Sequence, residues 1–381
     1  MKFAIMECVV TPGGHEIDFD RILVEELTAL GHTVEFYVPE GHEFKWNYGV
    51  LTHHIPGRGV SYAGARGLKK MYLSAKRELN RQRWYKKMNE LAVEKQFDAI
   101  IFPSATYRYL RALSLSSLKH SPVPVLFLIH GVTPKECDKL NAEAEKFISM
   151  PNIRIGVQTF AKEKLSLEGA NIKLYGPPNY IPRDINANEF NQDRNILKLG
   201  FFGQYRKEKN LDAFLDVFAK CKFNRSLKLV VQGSTQTPTD AADFERIINK
   251  YKNTANLEFW HRPLIGIEWQ KGLASVDTLV MPYGNDRYLY HTSAILSNAI
   301  GYGKTVISAN NVNPEILQEY DIGVTFENGN PEALKNALEQ FVNTYDEKQV
   351  TYKAELARAY ADFAPSKLAE NIVDLATSER K

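Results

Sequence analysis

Apolar and polar positions fall into blocks along the chain. It opens on an apolar run from Lys2 to Val10, which breaks into a glycine-rich turn, Thr11-Pro12-Gly13-Gly14. Ile22, Leu23, Leu27 and Leu30 then recur at near-helical spacing and predict a helix. Gly31-His32 stops it, since glycine takes the left-handed conformation at little cost. Thr33 to Val38 predicts a second strand. Strand, glycine turn, helix, glycine and strand in this order make a βαβ unit, which implies a parallel sheet. Further strands are expected at Ala99–Pro103, Val123–Ile129 and Ile153–Val157.

A second series begins near Leu197. Leu197 to Gly203 predicts a strand and its turn, Leu211 to Ala219 an amphipathic helix, and Leu227 to Gln232 a strand ending at Gly233. Leu257–Trp260, Thr278–Met281 and Thr305–Ser308 are further strand candidates with helices between them. Between the two series, Gly176-Pro177-Pro178-Asn179-Tyr180-Ile181-Pro182 reads as a linker, because its prolines exclude helix and central strand. The tail from Gln349 to Leu375 reads as helix interrupted at Pro365. The expected class is α/β, with a domain over residues 1–182, a second over 183–350, and C-terminal helices over 351–381 packing back on the first. The halves repeat an architecture and not a sequence.

Composition narrows the setting. The chain has 381 residues, 44% hydrophobic and 24% charged, as in an ordinary soluble globular protein. Cys8, Cys137 and Cys221 are too few and too scattered for a disulfide framework or a zinc site, and a reducing compartment fits them. The opening apolar run is too short for a signal peptide and no stretch is long enough to span a bilayer, so a cytoplasmic protein is expected. Net charge is +3, too small to argue for nucleic acid. The charge is uneven, however. Arg66 to Lys87 holds nine basic residues against Glu78, a net of +8, which leaves −5 for the remainder.

Ligands of open α/β sheets bind beyond the carboxyl ends of the strands, so the strand-to-helix turns are where chemistry is sought. At Thr11 to His15, backbone amides of a glycine turn and helix start can approach an anion. At Gly203-Gln204-Tyr205-Arg206-Lys207-Glu208-Lys209-Asn210, three cations crowd a turn and suit a diphosphate leaving group. At Tyr290 to Val306, a polar loop precedes a helix that Thr292 or Ser293 caps; the free amides of its first turn suit a phosphate. His130 ends the apolar run Leu126-Phe127-Leu128-Ile129 and precedes Gly131.

In this order the motifs resemble the GT-B glycosyltransferases, most closely family 4. Gly203 to Asn210 resembles the family's glycine-arginine turn followed by a lysine. Leu229 to Gly233 resembles its strand ending in glycine, and Val276 to Pro282 its alanine-aspartate-valine strand. Asn298 to Ile307 and Gly323 to Leu334 resemble the two segments that follow. Gly13-Gly14 and Leu27 to His32 extend the likeness toward the amino terminus. The resemblance implies two Rossmann-like domains facing a cleft, with the donor held by the second and the acceptor by the first. The family's two glutamates fall on Tyr290 and Asn298, and its arginine on Gln204, so Arg206 is expected to supply the missing cation.

The expected activity is therefore transfer of a hexose-type sugar from a UDP- or GDP-sugar to a saccharide or polyprenyl-diphosphate-linked saccharide, in cell-surface polysaccharide synthesis. By the resemblance it retains anomeric configuration, and neither metal nor cofactor is expected. His130, Arg206 and Lys209 are expected at the chemistry. Gly13, Gly14, Gly203, Gln204, Tyr290, Thr292, Ser293, Ala294, Ile295 and Asn298 are expected to bind the donor. The alternatives are an inverting enzyme with His15 as base, a sugar-nucleotide epimerase, and a catalytically silent partner subunit. In the basic segment, Leu68, Met71, Tyr72, Ala75 and Leu79 recur at helical spacing. Lys69, Lys70, Arg81 and Arg83 are accordingly expected to meet a phosphorylated acceptor or the anionic inner face of a membrane, and nucleic acid is not expected.

Overall fold

The computed structural model describes residues 1–9, 15–61, 65–183, 185 and 196–378. The chain forms two units, Met1–Pro177 with Pro365–Lys381, and Pro178–Ala364.

In the first unit, β1 (Lys2–Met6), α1 (His15–Ala29), β2 (Thr33–Glu40) and β3 (Thr52–Arg58) lead to a long helix, α2 (Gly67–Val93). Then come β4 (Ala99–Phe102), α3 (Tyr107–Leu113), β5 (Val125–His130), α4 (Pro134–Ala144), β6 (Ile153–Gln158) and β7 (Ile172–Tyr175). Their sheet runs in the order β3-β2-β1-β4-β5-β6-β7 and every ladder is parallel. Helices cover both faces of such a sheet, so its central strands are apolar throughout. Ala99 to Phe102 are all buried, and Phe102 stacks on Phe127 at 4.9 Å between ring centroids.

The second unit begins its sheet with β8 (Leu197–Phe201), α5 (Leu211–Phe218), β9 (Leu227–Gly233), α6 (Pro238–Tyr251) and β10 (Leu257–His261). It continues through α7 (Ile267–Ala274), β11 (Thr278–Met281), α8 (Ala294–Gly301), β12 (Thr305–Ala309), α9 (Pro314–Glu319), β13 (Gly323–Phe326) and α10 (Pro331–Asp362). The order is β10-β9-β8-β11-β12-β13, again parallel. Both sheets are doubly wound. Strand order reverses between β1 and β4 in one and between β8 and β11 in the other, the crevice where such sheets hold ligands.

α10 runs without a break through residues 351–362, which therefore belong to the second unit and not to the returning helices. Tyr352, Leu356 and Ala359 are its buried residues there. A new helix, α11 (Pro365–Thr377), starts at the proline, as Pro at a first helical position allows. It lies against α1 and β5–β7, with Lys173 Nζ paired to Asp374 at 2.6 Å. The structure adds β3, β7 and β13 to the strands expected from sequence.

Candidate functional site

The switch point of the second sheet gathers two of the turns singled out in the sequence. Gly203 follows β8 with φ +108°, a conformation glycine adopts freely. Its N–H donates to Gln232 Oε1 at 2.8 Å, and Gln232 Nε2 donates to the Arg262 carbonyl at 2.6 Å. Gln232 thus ties the turn after β8 to the chain after β10. A Cβ on Gly203 would lie 3.2 Å from Lys209 Nζ and 3.7 Å from Ile295 Cδ1, so the cationic turn and the start of α8 meet there.

Lys209 ends a single 3-10 turn, Lys207–Lys209, closed by Asn210 in the left-handed conformation. Gly284 N–H donates to the Glu208 carbonyl at 2.9 Å and pins this turn to the segment after β11. The Lys209 side chain is 7% exposed. Its amine lies 5.8 Å from the Phe201 ring centroid and 5.2 Å from that of Tyr283. Among the described residues it meets no carboxylate at ion-pair distance. Burial, helped by the Arg206 charge, pushes its pKa down to about 7. Arg206 is more open; it donates to Gln204 Oε1 at 3.0 Å and stands 3.8 Å from Glu208. The site therefore holds a buried amine with a lowered pKa and a second cation at the position where strand order reverses.

The start of α8 differs in detail from the sequence expectation. Ser293 is the N-cap and its Oγ accepts from Leu296 N–H. The Ser293 N–H, expected to face a phosphate, instead donates to Asn313 Oδ1 at 2.8 Å. That removes it from the anion-binding set. The amides of Ala294 and Ile295 have no acceptor among the described residues, as first-turn amides do. Thr292 Oγ1 and Asn298 Oδ1 are buried there without hydrogen-bond partners among the described residues. The Asn298 amide nitrogen donates back to the Ala294 carbonyl at 2.9 Å. Tyr290 is half-buried one turn earlier, its N–H on the Arg287 carbonyl.

Asn313 and Gln232 were not singled out as site residues in the sequence. Asn313 is left-handed, 1% exposed, and its Nδ2 also donates to the Tyr288 and His291 carbonyls at 2.9 and 3.1 Å. An Asn before a proline is a mild turn signal only.

In the first unit, His130 Nε2 donates to the Pro103 carbonyl at 2.7 Å, which fixes its tautomer, and Phe19 meets the ring edge-on. Gly13 and Gly14 lie outside the described residues; His15 opens α1, and its side chain lies outside them too. At the carboxyl end of β1 lies a buried acidic pair that no sequence pattern announces. Glu7 and Asp20 are each 3% exposed and border one small hollow with His42 and Tyr48. Burial raises both pKa values, that of Glu7 to about 8. Val9 N–H donates to Glu7 Oε1, while Glu7 Oε2 has no hydrogen-bond partner among the described residues.

The patch expected on α2 divides. Lys69, Lys70 and Arg83 are exposed. Arg81 is not: it is 2% exposed, lies 4.2 Å from the Tyr109 ring centroid and donates to Glu78. It falls on the packed side of the helix and is a core residue. A hollow of about 690 Å³ bordered by Arg225, Lys228 and Asn256 lies at the amino ends of β8–β10, the wrong end for a ligand of this sheet.

Comparison with known proteins agrees with this geometry. Residues 181–357 match the family model described as glycosyl transferases group 1. No curated protein matches the sequence. Among solved structures, a glycosyltransferase from Rickettsia africae superposes with a TM-score of 0.68 at 14% identity, over 98% of this chain and 97% of that one. Anabaena HepE in complex with UDP gives 0.66 at 13%, over 98% and 99%. The catalytic domain of Arabidopsis thaliana starch synthase IV, bound to ADP and acarbose, gives 0.65 at 14%, over 99% of each. The chain has the GT-B fold, and its residues 181–357 match the group 1 glycosyltransferase model.

Proposed function

We propose that the protein transfers a hexose-type sugar from a nucleoside diphosphate sugar, UDP- or GDP-linked, to a saccharide or lipid-linked saccharide, with retention of configuration. The carrying observation is the meeting of Lys209 Nζ and the start of α8 at Gly203. A diphosphate laid over Gly203 would meet an amine on one side and the Ala294 and Ile295 amides on the other. The Thr292 hydroxyl is a further donor, and Asn298 Oδ1 an acceptor for a ribose hydroxyl. As the sugar departs, negative charge grows on the leaving diphosphate, and donors fixed in advance stabilise it without reorganising. Diphosphate binding would restore the proton on Lys209, so the amine enters the reaction charged. Arg206 adds a second cation. Because these groups supply positive charge, the transfer is proposed to need no metal.

His130, at the carboxyl end of β5 with its Nε2–H committed to the Pro103 carbonyl, is proposed to orient the donor sugar. UDP in the HepE complex and ADP in the starch synthase complex support a nucleotide as ligand. The test is turnover with a panel of UDP- and GDP-sugars in the presence and absence of EDTA, with the product anomer read by NMR. Transfer with retained configuration, insensitive to EDTA, is expected. An inverted product would favour His15 as base. Binding without transfer or hydrolysis would indicate a silent subunit.

A further inference from the structure

The long helix α2 has two halves with different surroundings. Asn80, Arg81, Trp84, Tyr85, Met88 and Ala92 are buried, and all lie in its second half. Residues 67–79 include none that is buried. At ~1.5 Å per residue, roughly 20 Å of helix precedes the first buried residue, Asn80. Such a segment is marginal alone, but here it propagates from a helix already nucleated by packing.

This first half carries an apolar stripe in water. Leu68, Met71, Tyr72 and Leu79 are 83, 69, 66 and 64% exposed. At ~100° per residue these four fall on one face, about half a turn from the face that Trp84 and Met88 bury. An ordinary surface helix turns its apolar stripe inward; this one turns it outward. Lys69 and Lys76 stand on the shoulder of the stripe, and with Lys70 they have no carboxylate partner among the described residues. The helix start adds to the positive potential. Arg66 is an N-cap without a side-chain bond, and the first turn holds no acid. Lys69 and Lys70 therefore sit at the positive end of the helix dipole, which is unfavourable unless an anion lies nearby.

We propose that residues 67–79 lie in the interface of an anionic lipid membrane. The apolar stripe would enter the headgroup–acyl boundary, with Lys69 and Lys76 on its shoulder among lipid phosphates and Lys70 adding to the positive potential behind it. Charge decides between this occupant and a second copy of the chain. A second copy would bring the same cations against these, and like charges facing each other disfavour association. No helix among the described residues is long and apolar enough to cross a membrane, so the contact is at the surface. The inference stands apart from the sugar-transfer reading, because binding to lipid needs no substrate.

Flotation of the full chain tests it, with vesicles of phosphatidylcholine alone or mixed with phosphatidylglycerol. The native protein should float with the anionic vesicles at low salt, and much less at 0.5 M salt, where exposed charges are screened within a few ångströms. Lys69→Gln with Lys70→Gln and Lys76→Gln should lower the partition coefficient on the order of 10²-fold. Met71→Gln with Leu79→Gln should lower it too while leaving the salt dependence in place. All five positions are exposed or only partly covered, so melting temperatures should stay unchanged, which separates lost docking from lost fold. The proposal is overturned if the native protein does not float at low salt, if it floats equally on neutral vesicles, or if the lysine variant floats as well as native. A dimer that Leu79→Gln dissociates, without vesicle binding, also overturns it and assigns the stripe to a second copy.

Discussion

Asn313 Oδ1 accepts the Ser293 N–H at 2.8 Å, so a residue at the start of α9 sets the approach of the chain to α8, 20 positions earlier. The same side chain donates to two carbonyls of the loop that leads into α8. Its left-handed backbone suits Asn better than Ala. Asn313→Ala should therefore reduce stability by about 2–4 kcal/mol and weaken nucleotide binding as the α8 start loosens. Asn313→Asp keeps the acceptor for Ser293 and loses both donors, so it should fall between native and Ala. Chemical denaturation and calorimetric titration with UDP and GDP measure the two effects. Binding that survives Asn313→Ala unchanged would show that the loop does not position the site.

Lys209 makes nucleotide binding depend on pH with a defined sign. In the free protein its pKa is held down to about 7, chiefly by burial. A bound diphosphate raises it toward or above the usual lysine value of ~10.4. Below pH 7 the amine is charged in both states and affinity is at its plateau. Above pH 7 binding must take up a proton, and affinity should fall up to about tenfold per pH unit until the bound amine also titrates. Titrations at pH 8 in buffers of different ionisation enthalpy should show net proton uptake. Lys209→Met should abolish the uptake and lower turnover ~10²-fold or more. Equal uptake in that variant would remove Lys209 from the site.

Ala294 is the first residue of α8, where proline is tolerated, and Ser293 before it is extended, as a residue preceding proline prefers. Ala294→Pro should thus fold normally and lose one amide at the proposed diphosphate position. Affinity for UDP or GDP should drop about tenfold with little change in melting temperature. If affinity holds in the folded variant, the α8 start does not hold the phosphates.

Glu7 gives a stability prediction with the opposite pH sense to an ordinary paired carboxylate. Its folded pKa, about 8, is above its unfolded value. Burial therefore costs nothing while the group is protonated in both states, below the unfolded pKa. The cost grows as pH rises from there to about 8 and is constant above. Glu7→Gln keeps an acceptor for Val9 N–H and removes the ionisation. It should leave stability near pH 4 almost unchanged and raise it near pH 8, on the order of a few kcal/mol. Thermal melts across that range decide it; a variant no more stable at pH 8 than native would contradict the raised pKa.

Arg81 separates the two halves of α2. Arg81→Gln removes a buried contact with Tyr109 and Glu78, so it should lower stability by about 1–3 kcal/mol, whereas Lys69→Gln should be neutral.

What the sequence revealed follows the burial of each element. Central strands such as Ala99–Phe102 and Thr278–Met281 are buried on both faces and stand out as apolar runs. The strands that escaped, β3, β7 and β13, are all sheet edges. Thr52–Arg58 contains Pro56 and Gly57 and leaves most of its residues exposed, so it carries no run to read. The site divides the same way. Gly203 and Lys209 lie in the turn after a strand and the α8 start carries a capping serine, so these were legible. Asn313 acts through a bond to a residue far along the chain, and the Glu7–Asp20 pair forms only when α1 closes over β1. Arg81 was misplaced because composition marks a basic stretch but not the side of the helix that packs.

The return of α11 to the first unit has a consequence for synthesis. Residues 365–377 leave the ribosome after all of the second unit, yet they cover β5–β7 beside α1. The earlier-made sheet must wait for this covering helix until the whole second unit has been synthesised. Any nascent chain halted inside the second unit leaves that apolar surface open to chaperones and proteases.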